Sequence, residues 1–542
     1  MRGFRILVPV LNVGGSSPFG RTSEKIPCTA QFPAPPKTAL CREFLRLHLP
    51  PAVPDPRMGK HRLRRQKITE PGETRAKLDG TAQNDKEQDG NTMAVRIQSM
   101  TEGKPSRLIF SFALPLMVGN VFQQLYTVVD TMVVGKYLGV SALAALGAAD
   151  WLNWMMLGII QGFTQGFGIL MAREFGAGEH DRLRDVIGES AVLSALFALL
   201  LVGAGQGAAL PVLTLLRTPA DILPGTLLYL RIMFLGIPIV MAYNLLACIL
   251  RSLGDGKTPL QAMVVASLTN IVLDILFVMV FQWGIGGAAA ATLIAQLVSG
   301  LFCLYHIGKL EILRLKRANF RLQGRRTLQL LGLGSPMAFQ NCIIGVGGMI
   351  VQFVVNTYGV LFIAGFTATN KLYGVLEIAA TSYGYAMITY VGQNLGAKQY
   401  RRIRQGVRSA LVIALGTSVV IAAVMLLLGR VILSWFISGT PEEVAQTMDI
   451  AYFYLAVMST ALPVLYVLHV MRSVVQGMGN TALPMASGVV EFVMRTATAL
   501  RLPGAVGEIG LFFAEPAAWL GADVVLVLSY FFVSQRVLGR DA

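Results

Sequence analysis

Charge is what this chain has least of. Only 14% of its 542 residues are Asp, Glu, Lys or Arg, against roughly a quarter in a soluble domain, so most of the surface must face something other than water. Cysteine is scarce and scattered: Cys28, Cys41, Cys248, Cys303 and Cys342 show no CxxC spacing. That excludes a zinc ribbon or a disulfide framework, and the thiols read as small apolar residues. Five histidines, none paired within a spanning stretch, leave little material for an enzyme. There is no phosphate-binding glycine loop, metal triad or nucleophile beside a base. The chain is therefore read as non-enzymatic and without a cofactor.

What is abundant is apolar sequence. Hydrophobic residues make up 54% of the chain and mean hydropathy is +0.58. Twelve apolar stretches lie near 108–134, 143–170, 187–209, 222–250, 259–282, 286–308, 329–356, 361–391, 406–434, 446–471, 483–503 and 512–535. Each approaches or exceeds the roughly 20 residues needed to cross a bilayer. Backbone groups in hydrocarbon must pair internally, and no ten-residue porin-like alternation is present, so the stretches predict helices. The expected fold is an all-α polytopic membrane protein of twelve transmembrane helices.

The net charge of +16 resembles that of a nucleic-acid binder, but its distribution excludes that class. Half of it lies in residues 1–99. Beyond them the positives alternate by side: the loops after odd stretches carry only Lys136, Arg217, Arg430 and Arg501. The positive-inside rule then places both termini in the cytoplasm. The expected setting is a bacterial plasma membrane, and the expected state is a monomer in lipid with no nucleic-acid partner.

The body is duplicated. At an offset of 220, Gly139 and Val140 meet Gly359 and Val360, and the loop Phe175 to Arg184 meets Leu395 to Arg404; Pro115 falls opposite Pro336 with one residue of slippage. Many secondary transporters are built from such repeats, with a cavity at their interface. Four parts follow. Residues 1–92, rich in Pro and charge, are a disordered leader or a mis-assigned upstream start, with the real one at Met93 or Met100. Residues 93–308 form an N-lobe, 309–326 a basic linker with a solvated or headgroup-facing charge run, and 327–542 a C-lobe. Six helices in each lobe give two pseudo-symmetric halves.

Charges inside spanning helices cost several kcal/mol, about 2.5–3.5 each on insertion scales, so those retained are informative. The N-lobe keeps Asp130, Asp150, Arg231 and Asp274; the C-lobe keeps Lys371, Glu377, Asp449, Glu491 and Arg495. Asn270 and Asp274 are four apart and share a helix face. Counting out to the turn at Gln282–Gly287 and back reaches comparable depth at Thr292. A carboxylate, an amide oxygen and a hydroxyl suit Na⁺, or a carboxylate that can take a proton. The plainer alternative is interhelical hydrogen bonding. Lys371 with Glu377, and Glu491 with Arg495 at i,i+4, read as buried ion pairs fixing the C-lobe, or else as groups that touch substrate. Pro115 lacks an N–H and predicts a kink in the first helix.

The stretches Ala113 to Gly139 and Asn270 to Phe277, with the loops Arg251 to Pro259 and Gln476 to Pro484, resemble the multidrug and toxic compound extrusion (MATE) family. The resemblance covers about 107–536. It implies a bending Pro at Pro115 and, by similarity to the DinF-like branch, an N-lobe cation site of Asp130, Asn270, Asp274 and Thr292 taking H⁺ or Na⁺. The NorM-like branch uses an acidic residue in its seventh helix, where this chain has Gln340 and Asn341. The implied function is cation-coupled antiport of amphipathic, cationic small molecules by alternating access. The alternative is a flippase for a lipid-linked oligosaccharide or peptidoglycan precursor. Arg231, the only basic residue in the N-lobe spans, speaks against a pyrophosphate cavity there.

Overall fold

The computed structural model describes residues 99–437 and 440–539; the leader reading lies outside them. Long helices account for almost all of these residues, and none of them is in a strand. The twelve spanning segments are α1 (Pro105–Tyr137), α2 (Val140–Gly176), α3 (His180–Leu215), α4a (Leu223–Leu235) with α4b (Ile237–Ser252), α5 (Lys257–Asp274), α6 (Gly284–Gly308), α7 (Gly324–Val355), α8 (Val360–Gly396), α9 (Tyr400–Leu433), α10 (Pro441–Gly477), α11 (Ala482–Val506) and α12 (Ala514–Leu538). Each apolar stretch read from the sequence falls on one of them.

Two segments are broken, and both breaks have local causes. The fourth bends by 48° between Leu235 and Ile237, where Pro238 removes a backbone donor and Gly236 lies against Leu293 of α6. The fifth changes to a π-helix at Ile275–Val280, directly after Asp274. By contrast, Pro115 sits inside a helix that continues to Tyr137.

The lobes meet about a pseudo-twofold axis whose position is visible in single contacts. Gln165 donates from Nε2 to the Tyr385 hydroxyl at 3.3 Å, and these two residues are each other's repeat partners. A Cβ on Gly176 would collide with the Gln393 carbonyl, and one on Gly396 with the Arg173 carbonyl; the two clashes interchange under the same offset. Along α2, Gly158, Gly162 and Gly166 recur every four residues and face Asn341, Ala338 and Gly334 of α7. Small residues at this spacing let helices in lipid approach closely.

These contacts run from mid-helix, at Gly158 and Asn341, to the end of the molecule that carries the 309–326 linker. There Met100 N–H donates to Gln393 Oε1 at 2.8 Å, Gln393 Nε2 to the Ser252 carbonyl at 2.8 Å, and Arg402 to the Met100 and Gly103 carbonyls. The lobes are thus joined at the linker end. The linker itself is more than a solvated charge run. Its Asn319 and Arg326 bond Asp185 at 2.6 and 3.1 Å, and Arg326 and Thr327 bond the fully buried Glu189 of α3 at 3.0 and 3.2 Å.

Candidate functional site in the N-lobe

The site is assembled by α1, α5 and α6. Close approach of α1 to α5 depends on Gly119, which faces Met263 and Leu260, and is fastened by Ser267 Oγ donating to the Phe122 carbonyl at 3.3 Å. Ser299 Oγ donates to the Ala262 carbonyl at 2.8 Å and ties α6 to α5. The α5–α6 turn uses left-handed backbone at Gln282 and Gly284 (φ 55° and 64°). Its outer end is capped by Phe277 stacked on Trp283, ring centroids 4.6 Å apart.

This framework brings the four expected residues to one region. Asn270 Nδ2 donates to Thr292 Oγ1 at 3.4 Å, across the hairpin. Asp274 lies one turn further along the Asn270 face, and Asp130 is within electrostatic reach of it from α1. Asp130 is 7% exposed, Asn270 1% and Asp274 0%. Yet Asp130 Oδ1, Asn270 Oδ1 and both Asp274 oxygens have no hydrogen-bond donor. Buried polar oxygens nearly always have partners, and an unpartnered carboxylate at this depth is costly. Four orphan oxygens on three neighbouring side chains form a donor set that suits a proton or a small hard cation. The π turn that begins after Asp274 is a distortion often found at functional positions.

Beside the site is a small cavity of about 30 Å³, lined by Gln123, Tyr126, Tyr243, Met263, Thr292 and Gln296 among others. That is room for one or two waters. Thr292 belongs to both the cavity and the site.

The C-lobe charges are arranged differently from the sequence expectation. Lys371 and Glu377 do not pair with each other, because six residues on a helix separate them by most of two turns and turn them to different faces. Lys371 instead lies within electrostatic reach of Asp150 across the lobes, and Glu377 Oε1 meets His469 Nε2 at 3.3 Å. A histidine is therefore paired within a span, against the sequence reading. Glu491 and Arg495 do pair, at 3.0 Å, inside a larger chain: Arg472 to Glu491 at 2.6 Å and Arg495 to Glu515 at 2.7 Å. Arg472, Glu515 and the buried Asp523 had not been singled out; all three lie in or just beyond apolar stretches, where any charge is a signal. In α7, Gln340 donates to the Pro484 carbonyl and Asn341 to the Gly158 carbonyl, each at 2.8 Å. Arg231 is exposed.

A family model described as MatE matches residues 115–276 and again 336–500, well over half of the chain and once per repeat. Among curated relatives, the probable multidrug resistance protein YpnP of Bacillus subtilis is 29% identical over 57% of this chain and 69% of its own length. The probable multidrug resistance protein NorM of Thermotoga maritima is 23% identical over 77% and 89%. Among solved structures, a multidrug resistance MATE family transporter of the MOP superfamily in an outward-facing conformation superposes with a TM-score of 0.75. It is 20% identical, with 83% of this chain and 99% of that one covered. A MATE in complex with MaL6 gives 0.74 at 21% identity, over 83% and 99%. With its two matches to the family model, one in each lobe of a duplicated twelve-helix bundle, this chain is a transporter of the MATE family.

Proposed function

We propose that the chain is a cation-coupled antiporter that exports amphipathic, cationic small molecules, with Asp130, Asn270, Asp274 and Thr292 as the coupling site for H⁺ or Na⁺. The observation that carries this reading is the set of four buried oxygens without donors. The relatives named for multidrug resistance support the substrate class. The alternating positive loops support a cytoplasmic linker end and a plasma-membrane location. The contacts that join the lobes at that end support reading this as the outward-facing state.

In this state the ion arrives from outside and neutralises the site. Asp150 and the edge-to-face pair Trp151–Trp154, centroids 6.4 Å apart, supply carboxylate and aromatic surface for an organic cation in the interlobe cleft. Bending of α1 near Pro115 then transmits ion occupancy to the cleft. Coupling requires that ion and substrate favour different states or exclude each other.

The test is ethidium movement in liposomes under an imposed H⁺ or Na⁺ gradient. Gradient-driven efflux in the parent, lost in both Asp130→Asn and Asp274→Asn with membrane insertion intact, is the expected result. Efflux retained in both variants removes the N-lobe site from the mechanism. No movement under either gradient by a folded protein makes a lipid-linked precursor the next substrate assayed.

A further inference from the structure

The C-lobe holds a second set of ionisable groups at membrane depth, and the N-lobe mechanism does not use it. In the register set by the paired loops Arg251 to Pro259 and Gln476 to Pro484, whose left-handed glycines are Gly254 and Gly479, Asn270 corresponds to Arg495. Where the N-lobe has orphan oxygens, the C-lobe has a guanidinium: Arg495 is bonded to Glu491 at 3.0 Å, to Glu515 at 2.7 Å and to the Ile344 carbonyl at 3.1 Å. The place of a mobile cation is taken by a tethered one. Among the described residues no cluster of three or more His, Cys, Asp or Glu has metal-binding geometry. A proton is an ion that a histidine beside carboxylates can exchange.

The hydrogen bonds of His469 say where. Its Nδ1 lies 3.1 Å from the Leu465 carbonyl. A carbonyl oxygen only accepts, so Nδ1 carries a hydrogen. The other nitrogen, Nε2, is 3.3 Å from Glu377 Oε1. A neutral imidazole already protonated at Nδ1 has a bare lone pair at Nε2, and an ionised carboxylate has only acceptors. Two acceptors do not hold each other at that distance. A proton shared by the pair, on Nε2 as an imidazolium facing a carboxylate or on Oε1 as a carboxylic acid facing a neutral ring, would make this contact attractive.

The surroundings also call for that proton. Glu377, Glu491, Glu515 and Asp523 lie around Arg472 and Arg495, and Arg251 stacks on Tyr385 at 4.8 Å, so acidic groups outnumber guanidiniums by one. Beyond these, the groups packed around the pair are the phenols of Tyr373, Tyr385 and Tyr466. Lys371 lies within electrostatic reach of Asp150 across the lobes, and α9 has no charge between Arg408 and Arg430. A proton on the pair offsets that excess, and isolated charge at this depth is expensive. The proton also has a route: the Glu377 side chain is 34% exposed and His469 15%. Glu377 lies one turn from Gly374, which faces Gln124 of α1, so the pair opens on the interlobe cleft.

We propose that Glu377 and His469 form a proton-binding site in the C-lobe, separate from the N-lobe cation site and loaded from the cleft between the lobes. One proton enters from water onto Nε2 or Oε1 and leaves by the same path, with no other bond made or broken. When it leaves, two facing acceptors repel, and α8 and α10, which carry them, separate at the cleft wall.

The decisive measurement needs no transport, so its outcome is independent of the proposed antiport. Full-length protein carrying Asp130→Asn and Asp274→Asn, with ¹⁵N-histidine and in lipid nanodiscs, is titrated from about pH 5 to about pH 9, bracketing the ordinary imidazole range. Ring-nitrogen NMR is read together with infrared difference spectra. His469 is assigned with His469→Gln or, should that variant not fold, by the shift that Glu377→Gln causes. The expected result is Nδ1 protonated throughout and one proton lost from the pair as pH rises, seen as an Nε2–H signal or as a protonated-carboxyl band. In Glu377→Gln, whose amide can donate to Nε2, that proton leaves at lower pH than in the parent. A histidine protonated at Nε2 with Nδ1 bare overturns the proposal. So does a pair holding no proton at the lowest pH, or a titration that Glu377→Gln leaves unchanged.

Discussion

At the residue scale, the informative atoms are the unpartnered ones. Asn270 already donates to Thr292, so its side-chain oxygen is positioned rather than free to rotate, and it faces the same region as the Asp274 oxygens. Removing it deletes one ligand while leaving both carboxylates. Asn270→Ala should therefore weaken apparent ion affinity by about tenfold, the ratio that ~1.4 kcal/mol sets, without abolishing efflux at saturating ion. Ion-concentration dependence of efflux in liposomes checks this; an unchanged half-saturation point would make Asn270 purely structural. Asn270, Asp274 and Thr292 were legible because polar groups in spanning helices are rare and helical spacing is fixed; Asp130 joined them only through the resemblance to the MATE family. The Glu377–His469 pair was not legible, since it joins residues 92 positions apart on two helices whose contact only packing creates.

At the element scale, two devices carry measurable weight. Glu189 is fully buried and Arg326 is the cation bonded to it. Arg326→Ala leaves that carboxylate without its counter-charge, a kind of loss that costs about 3–5 kcal/mol when one partner of a buried pair is removed. A lower melting temperature in detergent and faster proteolysis within 309–326 are expected; unchanged values would show that Thr327 and the Gln323 N–H suffice. The second device is the glycine ridge of α2. A Cβ on Gly162 or Gly166 would meet α7 backbone, and overpacking of this kind costs about 1–3 kcal/mol. Gly166→Val should weaken the α2–α7 contact, read as loss of thermal stability, whereas the same change at Gly203, where a Cβ meets nothing, should be near neutral. The ridge could be read from its spacing in the sequence. The linker clamp could not, because Asp185 and Glu189 are more than 130 positions from their partners.

At the scale of the whole molecule, the paired crossing of Gly176 with Gln393 and of Gly396 with Arg173 closes the linker end by backbone contact on both sides of the axis. Under the proposed alternating access this crossing has to open. Gly176→Val, or the equivalent Gly396→Val, should favour the state in which it is parted. A thiol introduced by Ser252→Cys, at a residue only 3% exposed beside the Gln393 contact, then labels faster from the linker side. Labelling that stays slow in both valine variants would mean that the crossing does not move during the cycle.

Composition, apolar run length and the 220-residue offset determined by themselves that this is a twelve-helix duplicated membrane protein, because hydrocarbon admits little else and a repeat must fold as a repeat. Helical spacing also selected the N-lobe site, whose key polar pair lies on one helix. Tertiary structure alone decided which charges meet: it separated Lys371 from Glu377, gave Glu377 to His469, built the Arg472–Glu491–Arg495–Glu515 chain and closed the lobes at the linker end. Those outcomes depend on how helices distant in sequence pack, and side-chain pairing across helices is fixed by that packing rather than by position along the chain.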